Sequence, residues 1–237
     1  MKYIAPLLAC FCLCLFTPPA FSGQTAESFK KEQTKTLGLD YLLYLPPEYI
    51  ADTTGKKWPL ILFLHGSGER GNDLNKVKVH GPPKIVENKD LGFIVVSPQC
   101  PPGQWWDVET LSALLDEVES KQRVDAQRIY VTGLSMGGFG TWDLAAHEPQ
   151  RFAAIAPICG GGEPIHVKQH KHVPTWVFHG AKDGAVPIAR SEQMVEALKK
   201  QDADVTFTVY PEAGHDSWTE SYNNPKLYEW FLSHERK

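Results

Sequence analysis

Ser135 stands in Gly133-Leu134-Ser135-Met136-Gly137, a G-x-S-x-G arrangement followed by a further glycine at 138. A serine hydroxyl is a poor nucleophile until a base takes its proton and a third group holds that base in one tautomer. The pattern has chemical meaning when a strand leads into it and a helix leads out, because the serine then sits in a tight, strained turn with its hydroxyl presented. Residues 129–131 form an apolar run of strand character directly before it, and a helical segment follows. The glycines two before and two after leave room for such a turn. In chains that use this elbow the partners follow in the order serine, acid, histidine. Among the acids after Ser135, Asp183 follows the apolar run 175–178, within His179-Gly180-Ala181-Lys182-Asp183-Gly184, at the carboxyl end of a predicted strand. Ligand-facing groups collect at such ends in open α/β sheets. Glu163, Asp202 and Asp204 lack that placement and read as surface residues. His215, in Gly214-His215-Asp216 just past the run 205–210, is the candidate base.

Attack on a carbonyl creates an oxyanion, which needs N–H donors already in place. One should be the amide of Met136, directly after the nucleophile. The second should come from His65-Gly66-Ser67-Gly68-Glu69-Arg70-Gly71, whose glycines allow close backbone approach. Ser67 is the first choice and Gly68 the second, with Glu69 and Arg70 expected to pair and brace the loop. His166, His170 and His172 lie in a lysine-rich stretch without nearby thiolates or carboxylates, so a solvated surface is expected rather than a metal site.

The elements that must position these groups are legible as short apolar runs at 41–45, 58–64, 93–96, 129–131, 153–158, 175–178 and 205–210, most ending at Gly or Pro. Runs that do not alternate are expected for strands covered on both faces. Segments 110–124, 188–200 and 222–232 carry helical spacing, as in Leu111, Leu114, Leu115 and Val118. Alternation of strand and helix along the whole chain predicts an α/β fold with a mostly parallel sheet. No segment between strands is long enough for a large lid.

The 237 residues carry a net charge of -4, with no basic excess, which argues against nucleic acid as the principal partner. Lys2, an apolar run over 4–16, Pro18 and Pro19, then Ala20, Ser22 and Gly23 have the order of an export signal. We expect residues 1–23 to be that signal, residues 24–237 to form a single catalytic domain, and the protein to be periplasmic or secreted. Of the five cysteines, Cys10, Cys12 and Cys14 would leave with the signal. Cys100 and Cys159 remain, and either a disulfide between them or two separate buried thiols fits.

The motifs His65 to Gly71, Ser97-Pro98-Gln99-Cys100-Pro101, Gly133 to Gly138 and Gly214-His215-Asp216-Ser217-Trp218 resemble those of a bacterial esterase family of the α/β-hydrolase fold. Its members are described as predicted peptidases or dienelactone-hydrolase-like proteins, and are similar to feruloyl esterases and polyhydroxybutyrate depolymerases. The resemblance covers nearly all of the chain after the leader. It implies a sheet of about eight strands and a serine carboxylesterase acting on small or carbohydrate-linked esters, with no metal or organic cofactor. Dienelactone hydrolases proper use a cysteine nucleophile, where this chain has Ser135. Trp105, Trp106 and Trp218 fall near the site in sequence order and would suit stacking on a sugar or phenolic group, or else loop packing. Two other functions are open: a peptidase of the prolyl oligopeptidase type with the same triad, and a non-catalytic binding protein on this scaffold.

Overall fold

The computed structural model describes residues 26, 28–32 and 34–236. The expected export signal, with Cys10, Cys12 and Cys14, lies outside the described residues. Residues Thr36–Lys237 form one unit, and the site lies within it.

Each apolar run becomes a strand: β1 Tyr41–Tyr44, β2 Trp58–Leu64, β3 Ile94–Pro98, β4 Val124–Leu134, β5 Ala154–Ile158, β6 Thr175–Gly180 and β7 Val205–Tyr210. They make a 7-stranded sheet among the described residues, in the order β1-β3-β2-β4-β5-β6-β7. Only β1 runs antiparallel to its neighbour, β3. The other pairings are parallel. The helices are α1 Pro47–Ala51, α2 Gly81–Ile85, α3 Val108–Lys121, α4 Met136–His147, α5 Val167–His170, α6 Ala189–Lys199, α7 Trp218–Asn223 and α8 Pro225–Leu232. Among the described residues no helix is long and apolar enough to cross a membrane.

The unbroken hydrophobicity of β2 has a direct cause. Leu60, Leu62 and Leu64 point into a core shared with Leu111 and Leu115 of α3 and with α4 and α6. Ile61 and Phe63 point the other way, into a core with Tyr222, Leu227 and Phe231 of α7 and α8. Both faces are buried, so every position must be apolar.

The predicted helix over 222–232 is two helices. Pro225 has no N–H and pushes the residue before it out of the helical region, and Asn224 accordingly has φ -79 and ψ 111. Asn224 then caps α8 by accepting from the Lys226 amide at 3.1 Å. The segment predicted helical over 110–124 ends at Lys121, and Val124 instead opens β4.

The crossing of α4 over β2 and β4 leaves no room for side chains. A methyl group on Gly137 would run into the Leu64 carbonyl, and one on Gly133 would lie 2.7 Å from the same oxygen. Gly137→Ala is therefore expected to destabilise the protein by about 3 kcal/mol. Gly184→Ala, whose added methyl meets nothing within 4 Å, should cost less than about 0.5 kcal/mol. Urea unfolding of both variants measures the difference, and equal midpoints would contradict this packing.

Candidate functional site

Ser135 occupies the one-residue junction between β4 and α4, with φ 52 and ψ -117. A non-glycine residue in such a conformation carries strain of about 1–3 kcal/mol and persists only where its surroundings impose it. Here the imposition is explicit. The Ser135 amide donates to the Ile158 carbonyl at the end of β5, and the Ser135 carbonyl accepts from Phe139 in the first turn of α4.

The Ser135 hydroxyl is 2.9 Å from His215 Nε2, and His215 Nδ1 is 2.7 Å from Asp183 Oδ2. Ionised Asp183 can only accept, so Nδ1 carries the hydrogen and Nε2 is left as an acceptor facing the serine. The Asp183 side chain is buried. Burial pushes its carboxyl up, but the hydrogen bonds from His215 and from the Val186 and Ala185 amides outweigh it, and the group sits below its ordinary value. Those two amides donate to Oδ1 at 2.9 and 2.8 Å.

Two features that sequence reasoning missed hold this acid. Gly180 ends β6 where a methyl would meet Ala213 O at 2.5 Å. This lets the loop carrying Asp183 lie against the one carrying His215, joined by the Lys182 amide donating to Ala213 O at 2.9 Å. Buried His179 reaches Val186 O at 2.9 Å, Asp183 Oδ2 at 3.2 Å and Ser191 Oγ at 2.8 Å. Its only sequence signal was the His-Gly pair at the end of a strand.

The loop after β2 packs against the serine, for a methyl on Gly66 would approach Ser135 Cβ to 3.6 Å. Ser67 begins a short 3-10 turn, Ser67–Glu69, and is exposed. Met136 opens α4, a position whose amide has no intrahelical acceptor. Glu69 and Arg70 do not pair as expected. Arg70 donates to Ser67 O at 3.0 Å and Gln104 O at 3.1 Å, bracing the turn through carbonyls. Glu69 faces His80 at 3.9 Å. Buried His65 anchors the base of the loop: Nδ1 donates to Gly66 O at 2.6 Å, and Nε2 accepts from the Cys100 amide at 3.0 Å. Burial lowers its pKa to about 4, so the ring is neutral.

The three tryptophans part company. Trp106 is buried, donates to His65 O at 3.2 Å and packs its ring on His65 at 4.8 Å. It supports the loop, the packing alternative the sequence left open. Its burial on His65 leaves no broad exposed ring face of the kind the substrate-binding expectation needed. Trp105 is 63% exposed and meets Phe139 edge-on at 6.2 Å. Trp218 is half-buried and lies edge-on to His215 at 5.2 Å.

Cys100 and Cys159 are separate buried free thiols, so the disulfide alternative falls. They follow β3 and β5, three steps apart in the sheet, or about 14 Å at strand spacing, well beyond the reach of a disulfide. Cys159, with Asp183 and His215, forms the one group of three or more among the described residues whose metal-ligating atoms lie within 4.8 Å of one another. The carboxylate and ring are already bonded to each other, and burial pushes the Cys159 thiol up to about 12. That thiol stays protonated, poor both as a nucleophile and as a ligand.

The dienelactone hydrolase family model matches residues 106–228. Over 219 residues the chain is 27% identical to the bifunctional acetylxylan esterase/xylanase XynS20E of Neocallimastix patriciarum, covering 87% of this chain and 30% of that protein. It is 28% identical to the poly(3-hydroxyoctanoate) depolymerase of Pseudomonas fluorescens, covering 75% of this chain and 74% of that one. Among solved structures, a thermostable esterase superposes with a TM-score of 0.71 at 32% identity, covering 83% of this chain and 59% of that one. The chain thus spans less than two thirds of the xylanase-linked relative and of the solved esterase.

One histidine of the lysine-rich stretch is not at the surface. His170 is fully buried, packs on Trp142 at 5.6 Å, and neither ring nitrogen has a hydrogen-bond partner in the protein. Burial, chiefly, lowers its pKa to about 4. An unfolded histidine takes its proton near pH 6.5. Stability is therefore full above pH 6.5 and lost as pH falls toward 4, by about 3 kcal/mol for a histidine shifted this far. His65 behaves alike. His170→Phe is expected to be at least as stable at pH 7.5 and to lose about 3 kcal/mol less than the parent between pH 7.5 and 4. Urea unfolding across that range reads it, and parallel pH profiles would contradict it.

Proposed function

The chain belongs to the dienelactone hydrolase family, and on that premise we propose that it is a serine carboxylic ester hydrolase working through an acyl-enzyme intermediate. The observation that carries the reading is the continuous relay from Ser135 Oγ to His215 to Asp183, at 2.9 and 2.7 Å, built on a strained elbow. The names of the relatives support ester bonds as the target.

Ser135 Oγ attacks the ester carbonyl while His215 Nε2 takes its proton, and Asp183 stabilises the resulting imidazolium. The oxyanion is met by the Met136 amide and by that of Ser67, with Gly68 the second choice. His215 returns the proton to the departing alkoxide. Water then enters and attacks the acyl carbon as it gives a proton to His215, which passes that proton to Ser135 Oγ as the acid leaves. No metal or organic cofactor takes part in these steps. The substrate class is small or carbohydrate-linked esters, acetyl or feruloyl, with exposed Trp105 and half-buried Trp218 offering apolar faces to ring groups. Residues 1–23 act as an export signal, and the mature single domain works in the periplasm or outside the cell.

The test is turnover of nitrophenyl acetate, methyl ferulate and acetylated xylan, with a prolyl peptide amide alongside. Ser135→Ala should lower ester kcat by at least about 10⁴-fold, and Asp183→Asn by about 10⁴-fold. Turnover of the amide alone would move the assignment to the peptidase alternative. A folded protein that turns over none of them would favour the binding-protein alternative. Trp105→Ala should raise KM for methyl ferulate by about 2- to 10-fold while that for nitrophenyl acetate moves less. Equal changes on both would remove Trp105 from substrate binding.

A further inference from the structure

Trp218 has a second neighbour besides His215. It meets the His80 ring edge-on at 5.3 Å, and beyond it lies a cleft of about 290 Å³ lined in part by His80, Lys84, Asn88, Lys89, Trp218 and Asn223. No carboxylate is among its lining residues. Neither Lys84 nor Lys89 has an ion-pair partner among the described residues, whereas the nearby Glu87 is held by Lys78 at 3.1 Å. Glu69 faces His80 from the loop side at 3.9 Å, leaving the two lysines as uncompensated charges over the cleft. A concave site walled by an indole, with two ammonium groups and two side-chain amides, suits a hydroxylated ring bearing a negative charge.

The direction of the chemistry says which part of a substrate would reach it. His215 delivers its proton to the leaving oxygen, so the alcohol portion departs past His215. Trp218 lies against His215 at 5.2 Å and also walls the cleft, so a group seated in the cleft is next to the residue that protonates the leaving oxygen. We propose that this cleft binds a carboxylate carried by the alcohol portion of the substrate, so that the preferred esters are acyl groups on an acidic sugar of the uronic acid type. This rests on the ester hydrolase reading for its direction, but not for the existence of an anion site.

Binding and turnover separate the two claims. Calorimetric titration of the whole protein with glucuronate and with glucose should show tighter binding of glucuronate, weakened about 5- to 10-fold in Lys84→Gln/Lys89→Gln and by 0.5 M salt. Thermal unfolding checks that the variant is folded. In kinetics, the ratio of kcat/KM on acetylated galacturonate oligosaccharides to that on acetylated xylan oligosaccharides should exceed one and fall by a similar factor in the double variant. Equal binding of glucuronate and glucose, or glucuronate binding untouched by the double variant, overturns the site. Selective binding with an unchanged ester ratio overturns its assignment to the alcohol portion. Selective, lysine-dependent binding without turnover of any ester upholds the anion site while the ester hydrolase reading fails.

Discussion

The architecture of the site depends on one close backbone approach. The end of β2 passes so near the start of α4 that only glycine fits at 133 and 137, and Ser135 between them is left at φ 52. The strain is local, but its support comes from three strands: β2 through the Leu64 carbonyl, β4 through the chain itself, and β5 through the hydrogen bond from Ser135 N to Ile158 O. A backbone held this way fixes the direction of the Ser135 Cα–Cβ bond, from which the hydroxyl reaches His215 at 2.9 Å. The stability of the doubly covered sheet is what keeps so unfavourable a conformation in place.

The same logic of loops pressed together at strand ends recurs across the site. Gly180 allows the Asp183 and His215 loops to share a backbone hydrogen bond, so acid and base are placed by main chain before their side chains meet. His65 does comparable work on the other flank. Being buried and neutral, it can give one hydrogen bond and accept another, tying the turn after β2 to the loop after β3. Gln99 adds to this by donating to Glu69 O at 2.8 Å and Asp73 O at 2.9 Å. Together they set where the loop carrying Ser67 lies beside the start of α4.

Much of this was legible beforehand, and for physical reasons. Apolar runs without alternation mark strands buried on both faces, and β2 shows why, since Leu62 and Phe63 enter opposite cores. The G-x-S-x-G spacing was readable because backbone sterics leave few residue choices there. What resisted reading depended on distances between loops. Trp105 and Trp106 are adjacent in sequence, but one faces solvent and the other fills the space beneath His65, a difference set by a neighbouring strand end. His170 sits among lysines and exposed histidines, yet its ring turns inward onto Trp142. The separation of Cys100 from Cys159 follows from the strand order, which local pattern does not encode. The break at Asn224 was available from Pro225, and the helical spacing around it masked the signal.

The central claim is that Ser135 is the reacting nucleophile, and covalent labelling reaches it most directly. The protein would be treated with a fluorophosphonate, digested, and the adduct located by peptide mass spectrometry. The account predicts one equivalent of adduct, on Ser135, with ester turnover disappearing in step with labelling. A folded protein that resists the reagent, or that carries the adduct elsewhere while Ser135 stays free, would contradict it.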